Sequence, residues 1–389
     1  MPHRAYSAAE LRECEMDFEA VLLALAAADS SFDIALAYVQ LLAAAAPLHR
    51  QVRSLVGPER LSLARLHVEV SQFDDDVVVK NVYDEYRFEL SELPSVIAAF
   101  NLPPVIRTHG NHIFDGEELT LLLLRRFRGS SGSLQGMTRE TGRSAPAISE
   151  GILFMYEFLY DAYPWLFDER SLTAWAPRFA EFAAEYADLD GFAAAPVTNM
   201  IGNIDCKQFE SCRPCRGQRD AYSGHHRKHG PKLLGVQLAN GIMVHPYVEP
   251  LGRYHDATML RASGLLDTMA ATCARLGITY AFGTDAAFGQ SRYLWVLHKG
   301  LMTPAQAAFN TDLAPGRVQA EWSFGKVVNL WPYVDYNKNL KYLEQPLSMV
   351  LGVAVVLTNV HTCIRGSVIS YVNWVDTPDA RTYIAGGPF

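Results

Sequence analysis

A chain of 389 residues, 49% hydrophobic and 20% charged, has the material for one large domain or two to three smaller ones and excludes a largely disordered polypeptide. A net charge of −8 excludes bulk electrostatic attraction as a basis for nucleic-acid binding, which would need local basic patches. Six cysteines at wide, irregular spacing exclude a disulfide framework and fit a reducing compartment.

The first 60 residues are rich in Ala and Leu at helical spacing, which predicts two helices. The opening MPHRAYSAAELRECEMDFEA is too charged for a secretory signal. The apolar runs at 20–28 and 347–360 are shorter than the roughly 18–20 residues of a membrane span. Both are expected to be core helices of a soluble, intracellular protein. The acidic run at 74–76 reads as a solvated loop. SELPSVIAAF predicts a helix capped by Ser91 and stopped by Leu102, Pro103 and Pro104.

From Phe114 the pattern sharpens. DGEELTLLLLRRFRG has Asp115 at its start, acids in the first turn, arginines in the last and Gly129 as a stop. SLQGMTRETG is a shorter predicted helix ending at Gly142. The next, longer one opens with Ser144 as N-cap and Pro146 in the first turn. Helix, short helix, Gly-containing turn and capped helix is a helix-turn-helix arrangement. Arg125, Arg126, Arg128, Arg139 and Arg143 stand there against Glu140. A helical bundle with a polar face would share this pattern. On the helix-turn-helix reading, Arg139 and Arg143 are candidate DNA contacts.

After about Ala193 short β-like runs appear: MIGNID, PKLLGVQLANG, GIMVHPYVEP and ITYAFGTD. Asn240-Gly241 is a tight-turn pair, so the second and third strands are expected to be antiparallel neighbours. HDATMLRASGLLDTMAATCARLG is helical and leads to the fourth strand. From Thr303 the chain reads as mainly helical to about Val360. Three strands, a helix, a strand and helices is the ribonuclease-H-like order, a mixed α/β sheet flanked by helices. In that order the first and fourth strands lie side by side.

The first strand ends on Asp205 and the fourth on Asp285. A single acid at a strand end is unremarkable as a solvated terminus. Two acids on neighbouring strands invite a third from a helix packed over the strand ends. RVQAEWSFGKVVNLW offers Glu321, with 35 residues between it and Asp285, flanked by Val318, Trp322, Phe324 and Val327. Clustered carboxylates suit hard cations such as Mg²⁺ or Mn²⁺. Two such ions about 3.5–4 Å apart activate the attacking oxygen and stabilise the leaving oxygen in phosphodiester cleavage. Without metal, converging acids repel and their pKa values rise. Asp256, just after the third strand, is either a fourth ligand or an acid favouring a helix N-terminus.

These segments resemble the Harbinger-type (PIF/Harbinger) transposases and their domesticated relatives, with a DDE endonuclease domain. The resemblance is carried by NIDCKQFESCRPCRGQRDAYSGHHRKHGPKLLGVQLANGIM, LGRYHDATMLRASGLL, FGTDAAF, FNTDLAPGRVQAEWSFGKVVNLW and VVLTNVHTCIRG, and covers roughly residues 83–374. It implies metal-binding acids at Asp205, Asp256, Asp285 and Glu321, with Asp205, Asp285 and Glu321 as the catalytic set. It also implies DNA as substrate, possible strand transfer, nuclear localisation and a Myb-like accessory partner. A homo-oligomer is compatible with it and a membrane partner is not expected. The sequence departs from the family at Cys206 and Lys207, where Gly and Thr are usual, and at Phe288, where Tyr is usual. Lys207 beside Asp205 would compete with a metal ion. The alternative is a domesticated DNA-binding or scaffold protein that has lost cleavage.

Cys212, Cys215, His225, His226 and His229 raise a zinc site, but the Cys-to-His gap of 9 residues is short for a finger and argues against it. Residues 206–232 carry seven basic side chains against Glu210 and Asp220. Among them Arg213, Arg216, Arg219, Arg227 and Lys228 are candidate phosphate contacts beside the acids. The expected domains are a helical region at 1–112, a helix-turn-helix with linking helices at 113–192, the ribonuclease-H-like domain at 193–376 and a tail at 377–389.

Overall fold

The computed structural model describes residues 60–71, 82–129, 134–188 and 197–389. The two helices expected at the N-terminus, the run at 20–28 and the acidic run at 74–76 lie outside the described residues. The chain divides into two compact units, residues 1–60 with 136–144, and residues 61–135 with 145–389. Of the first, a helix at Leu134–Thr141 is described from Gly136 onward, and Gly142 follows it at φ +64°.

The second unit is built on a five-stranded mixed sheet. Its strands are β1 (Met200–Gln208), β2 (Lys232–Leu238), β3 (Met243–Glu249), β4 (Ala281–Thr284) and β5 (Leu294–Val296), in the order β3-β2-β1-β4-β5. β1, β2 and β3 are antiparallel in turn, whereas β4 is parallel to both β1 and β5. This is the expected ribonuclease-H-like order with one strand more, since β5 had no counterpart in the sequence pattern. β2 turns into β3 through Asn240-Gly241. Gly241 takes φ +83°, and its N–H donates to the Leu238 carbonyl. That left-handed position is what Gly supplies to a short hairpin loop.

The helices named for their role around this sheet are α1 (Gly116–Arg128), α2 (Ala145–Ala162), α3 (Phe179–Ala187), α4 (Asp256–Ala262), α5 (Leu265–Leu276), α6 (Pro304–Leu330) and α7 (Leu347–Arg365). α1 starts at Asp115, whose side chain accepts the Glu118 N–H at 2.7 Å, and ends at Gly129. α2 begins directly after Ser144. The link at 130–133 between α1 and the short helix of the expected helix-turn-helix lies outside the described residues. The helix at Leu93–Phe100 has Glu92, not Ser91, at its N-cap. Glu92 accepts the Glu89 N–H and pairs with Arg365 at 2.9 Å instead of capping. The single predicted helix after β3 is two, α4 and α5, broken at Gly264 with φ +69°.

α7 is the core helix. It runs five residues beyond the apolar stretch seen in the sequence, and a window of it with mean hydropathy 1.9 is long and apolar enough to cross a membrane. Here 78% of that window is buried inside the protein. Val353, Ala354, Val356 and Leu357 have no exposed surface, as expected of a helix apolar on all sides and packed by β3, α2 and α6. Asn359 closes the outer edge of the sheet. Its amide accepts from the Met243 N–H at 2.9 Å and donates to the Met243 carbonyl at 2.7 Å, so it stands where another strand would pair. The segment expected as a tail carries a helix, Ala380–Ala385, that packs against the Leu93–Phe100 helix and α7.

Candidate active site

β1 and β4 run parallel with Asn203 opposite Gly283. Asp205 and Asp285 each lie two residues further along, so they stand level just past the β1–β4 pairing; β1 does not end on Asp205 as expected but runs on to Gln208, held by its pairing with β2. Strand alternation puts both on the face of Asn203 and Gly283. The two strands are close there: a Cβ added at Gly283 would sit 2.5 Å from Asn203 Oδ1. That is the physical reason for a glycine two residues before the acid in AFGTD.

The Asp205 carboxylate is half-buried and accepts the Cys206 N–H at 2.7 Å. Burial pushes its pKa up to about 6, and the charges of Asp285 and Asp256 add to the rise, while the Cys206 hydrogen bond and Arg317 oppose it. Asp285 begins a turn, with one oxygen accepting the Ala287 N–H at 2.9 Å.

α6 lies over this face, packed on β1, β2 and β4. A buried polar seam fixes its rotation. Asn203 Nδ2 donates to Tyr186 Oη of α3 at 3.0 Å, Tyr186 Oη donates to Gln319 Oε1 at 2.8 Å, and Gln319 Nε2 donates to Asn373 Oδ1 at 2.8 Å. Gln319 sits between Arg317 and Glu321, so the seam sets where both arise. Ala320, Phe324 and Val327 are buried on the inner side, whereas Trp322 is 42% exposed. Glu321 is exposed and turned to Arg317, one helical turn earlier, at 2.6 Å.

Asp256 stands at the start of a helix, as the sequence allowed, and its charge acts on Asp205. It opens α4 and is ion-paired with Lys232 at the start of β2, and it also bonds the Cys206 thiol. Lys232 pairs with Gln208 and Leu234 with Cys206, so Cys206 and Lys232 share a face opposite to that of Asp205. Burial and the neighbouring carboxylates of Asp256 and Asp205 push the Cys206 thiol up, which keeps it protonated. Gly252 lets the loop before α4 pack closely, since a Cβ there would meet the Gly230 and Ala221 carbonyls at 2.5 and 2.6 Å.

Lys207 is not the cation that matters most to Asp205. Its ammonium lies over the Phe209 ring, 5.9 Å from the centroid, while Arg317 acts on the carboxylate. Lys232, counted from the sequence with the basic loop, is 5% exposed. Arg213, Arg216, Arg219 and Arg227 are exposed on that loop, and Lys228 pairs with Glu210 at 3.0 Å. Arg139 and Arg143 belong to the first unit. Cys215, His225 and His226 are exposed and Cys212 is half-buried.

The Asp205–Asp285 pair fits a hard divalent cation. Both donors are carboxylate oxygens, and Asp205 carries a repulsion that a cation would relieve. A third ligand is not in place. Among the described residues no group of three or more His, Cys, Asp or Glu is set to hold a metal ion. Glu321 and Asp256 are each paired with a basic side chain.

Residues 204–359 match the family of DDE superfamily endonuclease domains, a stretch that begins one residue before Asp205 and ends on Asn359. No curated protein and no solved structure matches the chain.

Proposed function

We propose that this chain is a transposase-type nuclease of the Harbinger group that cleaves DNA phosphodiester bonds with divalent metal. The observation that carries this reading is the level placement of Asp205 and Asp285, each two residues past the last paired residues of two adjacent parallel strands, inside the segment that matches the endonuclease family. Asp205, Asp285 and, after leaving Arg317, Glu321 would hold Mg²⁺ or Mn²⁺. When bound, such ions activate the attacking oxygen and stabilise the leaving one.

The chain's own residues divide the remaining work. Asp205 and Asp285 fix one point in space because both are anchored by paired strands. Gln319, bonded to Tyr186 and Asn373, would fix the rotation of α6 from which Glu321 reaches the site. Arg213, Arg216, Arg219, Arg227 and Lys228, on the loop that follows β1, would hold backbone phosphates. Arg139 and Arg143 would add contacts if the helix-turn-helix forms. Asp256 serves chiefly as the partner of Lys232 and Cys206. Strand transfer, action in the nucleus, a Myb-like accessory protein and self-association follow the same family resemblance and belong to this proposal.

A second reading is a domesticated DNA-binding or scaffold protein without cleavage. The pairing of Glu321 with Arg317 and of Asp256 with Lys232 favours it, because both acids are already neutralised. Cleavage of labelled element-end DNA with Mn²⁺ or Mg²⁺ separates the two. The nuclease reading expects cleavage by the wild type and its loss in Asp205→Ala and Glu321→Ala. A wild type that binds this DNA and leaves it intact, with the partner supplied, supports the binder.

A further inference from the structure

Arg317 was not among the candidate site residues, yet it links two of the candidate acids. It holds the Glu321 carboxylate at 2.6 Å, and its charge reaches Asp205. The two side chains are 28% and 53% exposed, on the flank of α6 rather than in its packed seam. An exposed pair at this spacing adds little to helix stability. Its consequence is local. The guanidinium offsets part of the repulsion among the acids and holds the Glu321 carboxylate.

We propose that Arg317 is a resident countercation of the acid site, holding Glu321 until a divalent ion displaces it and thereby weakening ion binding by the free protein. The proposal rests on the reading of Asp205, Asp285 and Glu321 as metal ligands. Ion entry must break the Arg317–Glu321 pair and then tolerate a guanidinium nearby. Both steps work against binding as long as Arg317 keeps its charge and position. A weak exposed pair is also easily exchanged, so the site is restrained and not blocked.

The test is Mn²⁺ binding to the full chain without DNA, read by electron paramagnetic resonance of the free ion. Arg317→Gln should bind Mn²⁺ about tenfold more tightly than wild type, because a unit positive charge is removed from beside the ion. Arg317→Lys should stay near wild type, and Asp205→Ala should lose the ion. Should the Gln variant unfold, Arg317→Met keeps the aliphatic stem and serves the same comparison. Equal or weaker binding in the uncharged variant, with the ion still lost in Asp205→Ala, overturns the role of Arg317 and leaves the metal reading standing. Binding that ignores Asp205→Ala, or is absent from every protein, overturns the metal reading and this inference with it.

Discussion

Asp205 and Asp285 stand level on neighbouring parallel strands, each two residues past the Asn203–Gly283 pair. The sheet therefore brings two carboxylates together, and the protein bears a cost in the raised pKa of Asp205, which burial sets and the charge of Asp285 adds to.

That cost gives a pH-dependent stability with a definite sign. The folded-state pKa of about 6 lies above the ordinary 3.8, so the contribution of Asp205 is most favourable below pH 3.8 and is lost as pH rises through 6. Asp205→Asn should therefore be more stable than wild type at pH 7, by about 1–3 kcal/mol. Denaturant unfolding should show the gap opening between pH 4 and 6 and staying level above. Millimolar Mn²⁺ should narrow it by stabilising the wild type alone.

Asp256 should behave in the opposite way. Its partner Lys232 is 5% exposed, and removing the acid leaves a buried ammonium without its counter-ion. Asp256→Asn should destabilise the protein by about 3 kcal/mol, and Lys232→Met combined with Asp256→Leu should recover much of the loss. Thermal unfolding of the single and double variants checks both.

Asn359→Leu should destabilise by about 2–4 kcal/mol, because it leaves the Met243 N–H and carbonyl without partners at a buried sheet edge. The Tyr383 hydroxyl, which accepts from Asn359 at 2.7 Å, loses a donor as well. Chemical denaturation at pH 7 reads the loss directly.

The exposed loop arginines should act on DNA affinity through phosphates. Replacing Arg216, Arg219 and Arg227 together by Ala should weaken binding to all sequences alike and reduce the salt slope by about three. Titrations across a series of salt concentrations measure that slope.

Much of this arrangement was legible in the sequence because strands carry a local signal. MIGNID and TYAFGTD each read as apolar runs ending on an acid, and Asn240-Gly241 marked the hairpin. β5 was not legible, since three residues, Leu294–Val296, carry no period of their own and form a strand only against β4. Nor was the seam of Asn203, Tyr186, Gln319 and Asn373, whose members are distant in sequence and join only once α3 and α6 have packed. The spacing of Arg317 and Glu321 was open to reading, as any pair four apart on a helix is. What pattern could not reveal is that the charge of Arg317 also acts on Asp205. Lys232 misled for a related reason: its charge put it with the basic side chains of residues 206–232, and only the fold shows it buried beside Asp256.

The most direct test of the central claim is a crystal grown or soaked with Mn²⁺ and measured for anomalous scattering. The account predicts a peak between Asp205 and Asp285, with oxygen ligands at about 2.0–2.3 Å and Glu321 turned from Arg317 toward the ion. Ordered Mn²⁺ elsewhere, with Asp205 and Asp285 left bare and Glu321 still on Arg317, would contradict it.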